Sequence, residues 1–469
     1  MSLFVSRQSS LAQLLTTNKL QITLLRNRRF LLMAAVLISL VSLGSFAFSA
    51  TVAVGTCTNL AFYSSIQTAV NSVPPGSTIR ICPGTYAEQV LITKKLTLTG
   101  VSGNGTMGTG AMGANNPTIV SPVAGVAVNA FDLYDNSGIA AQIAVVTPTG
   151  AAQPIVVNIS NITIDGSNNL IAGCAPDLVG IYYSNASGII NHVATRFQEL
   201  GSGLGGCQSG LAIFVESGYG SGGTSVTTIE NSSVHDYQKN GITVDGSGTT
   251  STVMSNYVVG AGATPVIAQN GIQVSDGANG KVTNNTVTDD VYISPDGGPY
   301  YSATGILLYD SGGTSATNLV ISGNTVSNSQ GGIVAYSDNV YGTADYNTIT
   351  SNKVTTSPAA GPFLLDGIDL CSDNNTARSN VVFNSSGSGI HIDSQCTGSS
   401  GATGNNTTVM GNTIDEACAG VLTGNGTGSS QSGNNTFSVL QTVQAGDSCP
   451  VGAGAKTKGK VRPLPLKHS

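Results

Sequence analysis

The chain has 469 residues, no Trp, 60 Gly and only 9% charged residues beside 40% hydrophobic ones, a balance that argues against disorder and suits many tight turns around a narrow aliphatic core. All 24 Asp and Glu follow residue 50, whereas ten of the 18 Lys and Arg lie before it or in the C-terminal stretch "GAKTKGKVRPLPLKHS". The body therefore carries eight positive charges against 24 negative ones, a net of −16, which argues against a nucleic-acid partner and would repel a polyanionic glycan unless cations bridge the two.

Residues 1–50 read as an N-terminal extension and secretory signal. Arg26, Arg28 and Arg29 precede the apolar run "FLLMAAVLISLVSL" at 30–43, and small residues with a Ser-x-Ala site at Ser45–Ala47 follow. Apolar character persists to Val54, so an uncleaved membrane anchor is the alternative and the chain's one route to a membrane. Either way the protein is expected outside the cytoplasm, secreted or at the cell surface. Residues 51–100 follow as an N-terminal cap and first coil. Here "SIQTAV" at 65–70, with Ser at its start, predicts a short amphipathic helix that closes the open end of whatever stacks behind it. Residues 101–158 read as a loop-rich excursion or irregular coils.

From 159 to 446 the chain repeats itself. "GIYY" begins at 180, "GLAI" at 210, "GITV" at 241, "GIQV" at 271, "GILL" at 305, "GIVA" at 332, "GIDL" at 367, "GIHI" at 389 and "GVLT" at 420, a mean spacing of 30 residues. A second phrase, Asn-x-aliphatic, interleaves with it at 191, 256, 285, 324, 347, 352, 380, 412 and 435. Repetition at this period marks units that bury their apolar faces only by stacking. The units hold short β-branched strands without a helical period between them, and the gaps are too short for crossover helices. Parallel strands joined in this way form an all-β, single-stranded parallel β-helix. The periodic Asn residues fit its bends and can stack as ladders of side-chain amides. Residues 447–469 read as a flexible basic tail, and nothing in the sequence points to an oligomer.

Eight cysteines, all after the signal, imply an oxidising compartment. Of 105 formal pairings, consecutive pairing gives spans of about one coil: Cys57–Cys82, Cys174–Cys207, Cys371–Cys396 and Cys418–Cys449. Metal binding by these residues is the weaker reading, since no CxxC occurs.

The passage "SIQTAVNSVPPGSTIRICPGTYAEQVLITKKLTLTG" at 65–100 resembles the opening of the pectin-lyase-like superfamily of right-handed parallel β-helix proteins, and the later repeats are similar to its generic parallel β-helix repeat. The resemblance covers about 65–440 and implies a right-handed coil and business with polysaccharide. It does not extend to a catalytic subfamily. The "PGTY-E" opening of pectin methylesterases is matched through Glu88, but their Gln-Asp pair, aspartate segment and Trp-containing arginine motif are missing. The "TDD" at 288–290 lacks the companions it has in polygalacturonases, and no "RxPxxR" lyase signature occurs. Fold alone does not assign function.

Side-chain alternation along the strands suggests which residues leave the core. One outward column runs Tyr182, Ala212, Thr243, Gln273, Leu307, Val334, Asp369, His391 and Leu422, with Ala212 ambiguous in parity. A second includes Phe214, Asp245, Ser275, Tyr309, Tyr336, Cys371 and Asp393. Asp369, His391 and Asp393 are expected to meet on adjoining coils, where they could share a proton, act as general acid and base, or hold a cation, calcium being the candidate. Tyr309 and Tyr336 are expected to stack as a platform for sugar faces. Asp245 reads as a solvated or turn-capping residue without acidic neighbours. Lys239, Lys281, Arg196 and Arg378 read as ordinary surface charges, though each is a base available for β-elimination. Two functions remain open: a divergent polysaccharide lyase or hydrolase, or a non-catalytic structural or adhesive surface protein that binds glycans or the cell envelope. No metal-binding or cofactor motif decides between them.

Overall fold

The structure is a computed structural model that describes residues 48–101, 116–295, 301–338, 342–356, 365–385, 387–395 and 404–449, together with the backbone of 462–463. The signal segment before residue 48 lies outside the described residues. The described residues from Ser49 onward belong to one compact unit. No helix among the described residues is long and apolar enough to cross a membrane.

The chain coils as a right-handed parallel β-helix. One ladder is a sheet of 14 strands, and two more run side by side within a network of 23. The strands of the repeated Gly-aliphatic phrase form one of these ladders and are numbered here β1 (Asp177–Ser184), β2 (Leu211–Glu216), β3 (Asn240–Asp245), β4 (Asn270–Ser275), β5 (Thr304–Tyr309), β6 (Gly331–Tyr336), β7 (Ile368–Cys371), β8 (Ile390–Ile392) and β9 (Thr413–Thr423). Each pairs in parallel with the next, from Ile181↔Ile213 to Ile390↔Val421. Ile242, Val244, Ile272, Val274, Ile306, Ile333, Ile368, Ile390 and Ile392 all fill the interior, as their alternation requires.

The predicted cap is α1 (Ile66–Ser72), which buries Ile66, Ala69 and Val70. Ser65 caps it, its Oγ accepting from the Thr68 amide at 3.1 Å. Glu88 of the "PGTY-E" passage completes the cap, accepting from the amides of Ile66 (2.8 Å) and Gln67 (2.9 Å). Two of the helix's orphan donors are thereby satisfied by a carboxylate at its positive end. The family-like glutamate is therefore accounted for by capping.

Six of the periodic asparagines form an interior ladder that Asn434, rather than the expected Asn435, completes, and Asn191 lies outside it. Asn256, Asn285, Asn324, Asn352, Asn380, Asn412 and Asn434 stack so that each Oδ1 accepts the preceding rung's Nδ2 and backbone amide at 2.9–3.0 Å. Left-handed backbone falls on the residue before each, Ser255, Asn284, Gly323, Ser351, Ser379, Gly411 and Gly433, with φ between 55° and 66°. The bend and the amide stack are thus divided between neighbours, which frees the ladder position for Asn in ordinary backbone. Asn347 belongs to a second stack with Asn375.

Three of the expected disulfides are present: Cys57–Cys82, Cys174–Cys207 and Cys418–Cys449, with Cα separations of 5.6, 5.2 and 5.7 Å. Cys371 is also disulfide-bonded; its expected partner Cys396 lies outside the described residues. Within 101–158, Gly138–Val146 joins the ladder by pairing with β1 and with Val90–Ile92. The neighbouring segment leaves the coil as an antiparallel hairpin in which Ala130 pairs with Ile139. In the tail, the backbone of Arg462–Pro463 pairs in parallel with Tyr301–Ser302.

Candidate functional site

The outward column is in register throughout, with one displacement. Tyr182, Phe214, Thr243, Gln273, Leu307, Val334, Asp369, His391 and Leu422 are successive partners. In "GLAI" Leu211 pairs with Asn240, so Phe214 takes the place expected for Ala212, and Ala212 belongs to the interior cluster. The second column consequently gains Glu216, directly opposite Asp245.

These columns are not a solvated face. Small apolar clusters lie outside the main core, among them Leu307, Val334, Tyr336 and Cys371, with Tyr309 packed against them. The Tyr309 and Tyr336 rings do stack, with centroids 5.7 Å apart and planes 10° apart. Tyr336 is buried, and Tyr309, half-buried, donates from its hydroxyl to Asp338 Oδ2 at 2.7 Å. The pair is a packed element that presents only part of Tyr309 to a ligand, a narrower platform than two open rings.

Asp369, His391 and Asp393 are brought together by β7 and β8. His391, expected on an exposed face, is fully buried, because it fills a slot between carboxylates that the sequence columns did not include. Its Nδ1 lies 3.0 Å from Asp366 Oδ2, and its Nε2 lies 3.2 Å from Asp447 Oδ1. Asp369 Oδ1 and Asp393 Oδ2 stand 3.9 and 3.8 Å from Nδ1. Carboxylates accept hydrogen bonds, so the ring can donate to both of them only in its doubly protonated form. Asp366 is fixed by the amide and hydroxyl of Ser388, both at 2.7 Å. Asp447 is fixed by the amide of Ser394 at 3.0 Å. Burial works to raise the Asp447 pKa, but hydrogen bonds from His391 and Ser394 prevail and bring it down to about 2.

Asp369 and Asp393 are the partly exposed members, with 22% and 14% of their side-chain surface open, against 1% for Asp366 and 4% for Asp447. Ligand atoms of Asp366, Asp369 and His391, and those of His391, Asp393 and Asp447, lie within 4.8 Å of one another and could hold a cation. Calcium takes oxygen ligands, so the carboxylates suit it and the imidazole does not.

Asp245, read as solvated, is buried. Its Oδ1 accepts from Ser275 Oγ at 2.6 Å and its Oδ2 from the Tyr219 hydroxyl at 2.7 Å. Glu216 beside it is fully buried beneath the hairpin, accepting at Oε1 from the Leu133 amide (2.9 Å) and from the Tyr182 hydroxyl. Its Oε2 has no hydrogen-bond partner among the described residues. Burial, then Asp132, and to a lesser degree Asp245, push the Glu216 carboxyl well above its usual range, against the opposing bonds from Tyr182 and Leu133. Lys239, read as a surface charge, is also fully buried, its Nζ donating to the Ala268 carbonyl at 2.7 Å. Asp290 of "TDD" is buried too and accepts from the Tyr237 hydroxyl at 2.6 Å. Arg196 pairs with Asp165 at 2.8 Å.

The coil, its amide ladder and a carboxylate-rich centre on one outer ladder define a parallel β-helix protein with a constructed polar site. The family model described as "Right handed beta helix region" matches residues 149–341 and 268–437, more than half of the chain, and the protein belongs to that family. No curated protein matches it. Among solved structures it is similar to a GH136 lacto-N-biosidase from Eubacterium ramulus, with 12% identity, a TM-score of 0.52 and coverage of 83% of this chain and 68% of that one. It is also similar to the surface protein and adhesin PfbA of Streptococcus pneumoniae, with 15% identity, a TM-score of 0.49 and coverage of 81% and 94%. A third is the A-module of the mannuronan C-5 epimerase AlgE4 of Azotobacter vinelandii, with 13% identity, a TM-score of 0.47 and coverage of 81% and 90%. At such identities the likeness concerns the fold.

Proposed function

We propose that this is an extracytoplasmic protein that acts on polysaccharide at the outer face of β7 and β8, as a divergent lyase or hydrolase. The observation that supports this is the convergence of Asp366, Asp369, Asp393 and Asp447 on one buried imidazole, with Asp369 and Asp393 alone opening to solvent. In this reading Asp369 and Asp393 meet the glycan, one as acid and the other as base. His391 is a positioning residue, because both its nitrogens are occupied by carboxylates. The same two carboxylates are the ligands open to a calcium ion that joins the acidic body to a polyanionic glycan. Disulfides and the signal-like leader support a location outside the cytoplasm.

The full burial of His391 favours a second reading, in which the face binds glycan without cleaving it. A screen of the secreted protein on a glycan panel with calcium, following reducing ends and the ultraviolet absorbance of unsaturated products, separates the two. Under the first reading Asp369→Asn and Asp393→Asn each lower the rate at least roughly 100-fold, the usual contribution of a general acid or base, with the fold intact. Binding without any product would transfer the assignment to the second reading. No binding and no product on any glycan would remove both.

A further inference from the structure

A pocket of about 380 Å³ opens on a different part of the coil, where three successive turns approach β2, β3 and β4. Its walls include Leu200, Gly201, Ala261, Val266 and Ile267, and Glu199 is the one charged residue that lines it. The walls are held in place by bonds of their own. Gln238 accepts from the Leu200 amide (2.9 Å) and donates to the carbonyls of Leu204 and Cys207 (both 2.9 Å). Gln269 accepts from the Ala261 amide (2.8 Å) and donates to the Tyr237 carbonyl (2.5 Å). The Cys174–Cys207 bridge fastens the end of the glycine-rich loop. Both amides are thus spent on the frame, and the cavity is preformed.

Glu199 is different. It is an exposed residue of the pocket's lining, and its carboxylate makes no hydrogen bond or ion pair with any described residue, whereas neighbouring Asp236 is held by His235 at 2.7 Å. Partial desolvation at the wall, then Asp236, raise the Glu199 carboxyl above its usual range. A mainly apolar cavity with one unanswered acid, near a second acid, is complementary to a small apolar body that carries a positive charge.

We propose that this pocket is a binding site for an ammonium-bearing group, with Glu199 as its counter-ion and Leu200, Val266 and Ile267 as its apolar wall. Amino sugars and alkylammonium side chains share this chemistry. The test is titration of the full chain with glucosamine and with butylammonium, each against its uncharged counterpart, N-acetylglucosamine and butanol, followed by saturation-transfer NMR and calorimetry. Both or one of the ammonium probes should bind, which names the source, and the uncharged counterparts should bind at least roughly tenfold more weakly, the effect of about 1.4 kcal/mol.

Glu199→Gln should erase that preference. Gly201→Leu should block the pocket at little cost to the fold, since a Cβ there meets nothing within 4 Å. Unchanged cooperative unfolding of both variants confirms that they fold, and Asp369→Asn should leave ammonium binding as it is. Absence of binding by either ammonium probe, equal binding of charged and uncharged probes, or binding indifferent to both pocket variants would overturn the proposal.

Discussion

Replacing Asn352 by Ala is expected to lower the unfolding free energy by about 3–4 kcal/mol, the upper part of the range for point substitutions. Asn352 sits in the middle of the buried amide ladder and takes part in four side-chain hydrogen bonds. Its Oδ1 accepts from the amide and Nδ2 of Asn324, and its Nδ2 donates to the Ile321 carbonyl and to Asn380 Oδ1. Truncation leaves Asn324 with two buried donors unanswered, each costing about 1–3 kcal/mol. Relaxation and retained bonds to neighbouring amides bring the sum below simple addition. Asn434 ends the ladder, and its truncation also leaves two donors of Asn412 without their acceptor; because Asn434 is only half-buried, water can answer them, so Asn434→Ala should cost about half as much. Urea unfolding of both variants with the disulfides intact checks the order. Equal losses at the two positions would mean that the ladder does not act as a buried stack.

The fold was legible because one phrase recurs often enough to specify a coil. Strand parity then filled the core correctly at all nine chosen positions from Ile242 to Ile392. The same parity argument reached the meeting of Asp369 with His391, since both sit at equivalent points of "GIDL" and "GIHI". It failed where the phrase slipped. "GLAI" aligns two residues out of step, so Glu216 went unread and Asp245 lost its acidic neighbour. Asp366 and Asp447 are illegible for another reason: neither stands within the repeated phrase. Asp366 immediately precedes the glycine of "GIDL". Asp447 lies two residues before Cys449, whose bridge to Cys418 ties that segment to β9 and was itself foreseeable. Alternation tells inside from outside but not whether the outside is covered. That is why His391, Tyr336, Asp245 and Lys239 read as surface and are buried.

Glu216→Gln is expected to stabilise the protein increasingly as pH rises. Glu216 lies beneath the hairpin with Asp132 and Asp245 nearby, and its Oε2 has no partner among the described residues, so the folded chain favours the protonated carboxyl. The unfolded chain releases that proton near the ordinary value of 4.5. Between that value and the raised folded one, the folded state binds more protons than the unfolded state, and stability therefore falls with increasing pH. Below about pH 4 both states are protonated and this penalty vanishes. Glutamine keeps an oxygen to accept from Leu133 and Tyr182 but cannot ionise. The variant should therefore match the parent at pH 4 and exceed it at pH 8 by about 1–3 kcal/mol, the scale of an uncompensated buried polar group. Replacement by Lys would not test the same point, since it changes charge and size together. Chemical unfolding of parent and Glu216→Gln across pH 4–8 gives the comparison directly. A constant difference would show that Glu216 does not change protonation between folded and unfolded states. A growing advantage for the parent would reverse the sign and place a compensated carboxylate beneath the hairpin.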